Sequence, residues 1–108
     1  MPPADDQSWS ESEYRPLIEA YMKMLRLEIA GEKYNKAAFR RELLAGPLKA
    51  RSKRASEYKM CNVSSVLFDL RKRWIRGYKP LPHKQRHGGF IEAVTAAAQE
   101  HEIPRADL

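Results

Sequence analysis

The chain has one cysteine in 108 residues, Cys61, which excludes an intramolecular disulfide and a metal cluster of the CxxC kind and points to a reducing compartment. Long apolar runs are also missing: none approaches the roughly 18 residues that a membrane span needs. Near the N-terminus stand Asp5 and Asp6, where a signal peptide would carry cations and an apolar stretch. A cytoplasmic protein without membrane contact is the expectation. Catalytic signatures are absent as well: there is no GxSxG elbow, no phosphate-binding glycine loop, no HExxH and no Cys–His constellation. Neither an enzyme nor a cofactor is expected. His83 and His87 lie four apart, but the remaining ligand types, Cys61 and His101, are distant in sequence, which reads as two surface histidines rather than zinc. Glu57 and Lys59 match the E-x-K of nuclease hairpins without the preceding strand and aspartate, and we read that match as chance.

What is present is the composition of one globular domain, with 43% apolar residues, 31% charged residues and only five glycines. The spacing of elements places the domain at 9–102, between tails at 1–8 and 103–108. Charge is segregated along it. Residues 1–32 hold three Lys/Arg against seven Asp/Glu, residues 33–86 hold sixteen against three, and residues 87–108 hold one against four. Like charges repel within a compact domain, so a central block of this kind usually answers a polyanionic partner.

The pattern is helical. Ser10 and Glu13 have capping-box spacing, with Trp9 and Tyr14 as a hydrophobic staple, and Tyr14, Leu17, Ile18, Tyr21, Met24 and Leu25 recur at helical intervals up to Gly31. Asn35 caps a shorter helix that ends at Gly46 and Pro47. A basic stretch, LKARSKRASEYKM, leads to a third helix expected from Asn62, with Val63, Val66, Leu67, Leu70 and Trp74 on one face and Gly77 beyond its end. A last helix runs through GGFIEAVTAAAQEHE. The expected fold is all-α, a compact bundle of four to five helices with a helix-turn-helix-like central pair.

Phosphate contacts come from Arg, Lys, Ser, Asn and Tyr side chains and from helix N-termini. Lys49, Arg51, Ser52, Lys53, Arg54, Ser56, Lys59 and Asn62 bring these types to the entry of the third helix. Helix-turn-helix docking would set Asn62, Ser64 and Ser65 near bases or phosphates, with Arg71, Lys72 and Arg73 further along the backbone. Arg76, Tyr78 and Lys79 follow on a loop shaped by Gly77 and Pro80, where Tyr78 either stacks on a base or covers the end of the bundle. The expectation is that folding gathers the central cations into one patch beside Val63. The competing class is a protein-interaction module, with Trp9, Met22, Met24 and Phe68 as an apolar docking face.

The run YNKAAFRRELLAGPLKARSKRASEYKMCNVSSVLFDLRKRWIRGYKP resembles a small prokaryotic domain from the N-terminal region of HNH-type and other restriction-like endonuclease proteins. The resemblance extends over about residues 9–95 and rests on Tyr34, Asn35, Lys36, Arg40, Arg41, Arg51, Ser52, Ser56, Glu57, Lys59, Asn62, Ser64 and the stretch from Gly77 to Pro80. It implies a helical, non-catalytic, DNA-associated module that accompanies a nuclease domain or subunit, and the basic patch at a helix entry, rather than aromatic sheet platforms, favours double-stranded DNA over RNA as the partner. Lys36, Arg40 and Arg41 join the expected contacts on the ground of the resemblance. The HNH motif itself is absent from the chain, so nuclease activity is not implied.

Overall fold

The computed structural model describes residues 8–82 and 89–106. Four helices make up the fold: α1 (Glu11–Ile29), α2 (Lys36–Ala45), α3 (Lys53–Asp69) and α4 (Phe90–Glu100), with no strand among the described residues. The all-α bundle expected from the sequence is the observed architecture.

Helix α1 forms where its sequence says it should. The backbone N–H of Ser10 donates to Glu13 Oε1 at 3.1 Å, the return half of a capping box. Tyr14, Leu17, Ile18, Tyr21, Met22, Met24 and Leu25 then line one buried face. Pro16 removes one intrahelical donor in the second turn without ending the helix. Gly31, at φ +75°, closes α1 with a Schellman turn in which Glu32 N–H donates to Leu27 C=O at 2.9 Å. Asn35 caps α2 by accepting from Ala38 N–H.

The third helix departs from expectation at both ends. Ser52 caps it by accepting from Ala55 N–H at 3.0 Å, so α3 begins at Lys53 and Asn62 lies at mid-helix. It stops at Asp69 rather than near Gly77, because Arg71 takes a left-handed conformation at φ +59° and Lys72 N–H reaches back to Leu67 C=O. A non-glycine terminator leaves no trace in a propensity reading. Tertiary bonds hold it: Arg73 N–H donates to Pro104 C=O and Ala106 N–H to Arg71 C=O. Residues 103–106 are therefore part of the domain, with Ile103 in the core, and the boundary expected at 102 moves outward.

Contacts between elements fix their directions. Glu13 meets Arg51, Tyr21 meets Ser64, and Glu28 accepts from Arg76 N–H, so α1 and α3 run parallel. Lys36 lies by Gly77 and Arg40 by Glu57, so α2 runs antiparallel to them. Lys59 meets Phe90 and Lys72 meets Ile103, so α4 runs along with α3. A parallel α3–α4 pair requires the chain to return. Residues 70–82 do so along the flank of α3, burying Ile75 and Tyr78, with Leu81 N–H on Cys61 C=O at 3.2 Å.

Candidate nucleic-acid interface

The residues expected to meet DNA fall into three environments. Six are interior. Arg51 donates through Nε to Glu13 Oε2 at 2.8 Å, through Nη2 to Glu13 Oε1 at 2.9 Å and to Ser8 C=O, and its guanidinium lies 4.6 Å from the Trp9 ring centre. Lys59 is 2% exposed, with its ammonium 4.1 Å from the centre of the Phe90 ring and 5.5 Å from that of Trp9. Ser56 donates to Lys53 C=O, Asn62 to Leu81 C=O, and Ser64 Oγ is 2.6 Å from the Tyr21 hydroxyl, which also accepts from Ile75 N–H. Tyr78 is buried beside Tyr21, with the Lys36 ammonium over its ring at 4.1 Å. These polar groups hold the fold. Arg51, Ser56, Lys59, Asn62, Ser64 and Tyr78 are consequently withdrawn from the set of surface contacts, and of the two readings of Tyr78 the cover for the bundle stands.

Electrostatics agree with this placement. The Arg51 guanidinium, with help from Ser10, holds the Glu13 carboxyl down at about 2 against an ordinary 4.5. Burial pulls the Lys59 ammonium down to about 8, and the nearby Arg51 charge acts in the same direction. Burial raises Tyr78 to about 12 and raises Tyr21 and Tyr34 further. The Cys61 thiol, half-buried in the flank of α3, is likewise pushed up, opposite to what a reactive thiolate needs.

A second group is half-buried: Lys36, Arg40, Ser52, Ser65, Lys72 and Arg73. Arg40 pairs with Glu57 at 3.3 Å, and Lys72 Nζ donates to Ile103 C=O at 3.0 Å. Glu57 and Lys59 of the E-x-K match diverge, one toward Arg40 and the other toward Phe90. Among the described residues no three His, Cys, Asp or Glu side chains gather to hold a metal, and His83 and His87 lie outside the described residues.

The third group is exposed: Arg41, Lys49, Lys53, Arg54, Arg71, Arg76 and Lys79. These do not form the single patch expected beside Val63. Lys49, Lys53 and Arg54 stand at the start of α3, Arg71 and Arg76 beyond its end, a helix of 17 residues or about 25 Å away, and Lys79 on the returning segment, two residues before Leu81 meets Cys61 at mid-helix. The ends differ in compensation. Near the far group Glu28 accepts from the Arg76 backbone N–H, and Asp69 precedes Arg71 by two residues in the chain. At the near end the first turn of α3 contains no acid, and the carboxylates of Glu13 and Glu57 are engaged by Arg51 and Arg40. Three exposed cations at the positive end of a helix dipole, where carboxylates are ordinarily favoured, make the start of α3 an electropositive feature of the described surface.

The competing apolar face is also redrawn. Met22 and Met24 are fully buried and Trp9 is half-buried over Arg51, which leaves Phe68, 59% exposed, as the one member of that set in solvent. Sequence reading missed Tyr58, 46% exposed and one turn beyond Arg54. Extending the helix back to its Ser52 cap would have placed it there. No family model, curated protein or solved structure matches this chain, so its residues and their geometry carry the functional argument.

Proposed function

We propose that the chain is a non-catalytic DNA-binding module that takes phosphates on Lys49, Lys53 and Arg54 at the start of α3. The observation that supports this reading is the cationic end of α3, which has no acid in its first turn and where, among the described residues, the neighbouring Glu13 and Glu57 carboxylates are engaged by Arg51 and Arg40. Exposed Arg41, on the neighbouring helix α2, adds to the same positive field. Contacts to the sugar–phosphate backbone position a protein without reading sequence, so general affinity is expected here. The resemblance to modules of restriction-like endonuclease proteins supports a place beside a nuclease.

Fluorescence anisotropy against duplex DNA at two salt concentrations tests the reading. Three lost phosphate contacts lower the slope of log affinity against log salt by roughly 0.9 each, so the triple variant Lys49→Ala/Lys53→Ala/Arg54→Ala should bind weakly with a slope reduced by about 2 to 3. All three side chains are exposed, so folding should change little. Absence of binding at low salt, or a triple variant indistinguishable from the parent chain, would overturn it. A protein-docking role would then be favoured by the exposed Tyr58, Phe68 and Leu81.

A further inference from the structure

The phosphate reading uses only the first turn of α3, yet the outward stripe of that helix continues beyond it. Arg54, Tyr58, Cys61, Ser65 and Phe68 recur at intervals of four, three, four and three, opposite the face of Met60, Val63 and Leu67 that enters the core. Tyr58 and Phe68 are the two exposed aromatic side chains on it, at 46% and 59%. Leu81, 40% exposed, is pinned one turn past Tyr58 by two hydrogen bonds, its N–H to Cys61 C=O and its C=O from Asn62 Nδ2.

The two aromatics have different neighbours. Tyr58 follows Arg54 by four residues, about 6 Å along the axis, with Lys53 adjacent and Glu57 held by Arg40. Phe68 stands ten residues further on, beside Asp69, away from the cations that begin the helix. A nucleotide offers an anion and an aromatic ring a short distance apart, which matches Arg54 and Tyr58 at the end of α3 proposed to hold phosphates, whereas the exposed cation nearest Phe68 is Arg71, beyond the far end of the helix.

We infer that Tyr58 is a stacking platform for an unpaired base, with Leu81 as its apolar flank, so that the DNA held at the start of α3 is one presenting an unstacked nucleotide. This rests on the phosphate reading above and adds the class of DNA to it. Base–aromatic stacking is tolerant of sequence because every base has a π-face, so the preference is for strand state rather than for sequence. A fully paired duplex keeps its bases inside the stack, out of reach of an aromatic ring on a helix surface. An extruded base in a duplex and a single strand offer the same chemistry, and both enter the test.

The full chain is titrated against three fluorescent oligonucleotides of one sequence: the duplex, the duplex with a central single-base bulge, and the single strand. Tyr58→Ala should weaken the bulged duplex and the single strand by roughly tenfold and leave the plain duplex unchanged. Tyr58→Phe should restore binding, and Phe68→Ala, at a still more exposed aromatic, should have no effect. The inference is overturned if Tyr58→Ala binds all three as the parent does, which would leave the stripe to a protein partner. It is equally overturned if all three weaken together. In either case loss of binding in the Lys49, Lys53, Arg54 triple variant keeps the phosphate reading, whereas a parent chain that binds none of the three removes both.

Discussion

Between Lys49 and Lys59 one short stretch carries two kinds of cation. Arg51 and Lys59 point inward, onto Glu13, Trp9 and Phe90, while Lys49, Lys53 and Arg54 remain in solvent. The difference does not lie in residue type. It lies in where α1 and α4 deliver a carboxylate or a ring, and both Glu13 and Trp9 come from the acidic N-terminal part of the chain. Some of the segregation of charge along the sequence is therefore cancelled inside the fold, and what is left for a partner is smaller and more local than the count of cations suggests.

The largest test of that division is Arg51→Ala. Its side chain is 2% exposed and ties the start of α3 to that of α1. Removing one partner of a buried pair leaves the other charge uncompensated, and a loss of about 3 kcal/mol of unfolding free energy is expected in urea titration. Lys53→Ala, two residues away, should cost less than about 0.5 kcal/mol. The pair also has a pH signature. Glu13 is held at about 2 in the folded chain against 4.5 unfolded, so its contribution is full above pH 4.5 and is lost as pH falls toward 2. In Arg51→Ala that part of the acid transition should flatten. Equal losses in the two alanine variants would erase the distinction between inner and outer cations.

Lys59 sharpens the same comparison with the opposite sign. Its folded pKa of about 8 lies below the ordinary 10.5, so between these values the unfolded chain binds the proton more tightly and stability rises with pH. Below pH 8 the folded state carries the full cost of a buried ammonium, offset in part by the rings of Phe90 and Trp9. Lys59→Met keeps the volume and removes the charge, so it should stabilise the protein by about 1 kcal/mol at pH 7. The advantage should shrink as pH climbs from 8 toward 10. Tyr21, Tyr34 and Tyr78, all raised, titrate in both chains, so the difference between the chains isolates Lys59. Chemical denaturation at pH 7, 8, 9 and 10 reads it, and an advantage that stays constant with pH would refute the buried ammonium as its cause.

Local signals made α1, α2 and α4 legible. A capping box, an Asn cap and apolar residues every third or fourth position act within one turn or two, and the structure uses them as written. The start of α3 was signalled too, by Ser52, but its serine sits among cations that read as a loop. Its end was not signalled, because Arg71 is held left-handed by residues 104–106 rather than by its own preference. The same holds for the site. Residue types at the start of α3 were readable, whereas their division into inner and outer depended on partners far along the chain: Arg51 finds Glu13 at a separation of 38 residues and Ser64 finds Tyr21 at 43. Six of the residues on which the expected resemblance rests, Arg51, Ser56, Lys59, Asn62, Ser64 and Tyr78, are buried, so those positions serve the fold rather than a surface contact.

The smallest expected effect comes from the far end of α3. Arg71 is an exposed cation of the group that the proposed interface leaves out, and its φ of +59° carries the strain of a side chain in left-handed backbone. Its side chain makes no ion pair among the described residues, while its backbone makes the helix-ending turn and accepts from Ala106 N–H. Arg71→Gly keeps that backbone and relieves the strain, though glycine loses more freedom on folding, so a net gain of only about 0.5 to 1 kcal/mol is expected. The same substitution removes a charge about 25 Å along the helix from Lys53, beyond a Debye length of roughly 8 Å at physiological salt, and DNA affinity there should be unaltered. A stabilised variant with weakened DNA binding would mean that the two ends of α3 act on one ligand, and the interface would have to be extended along the whole helix.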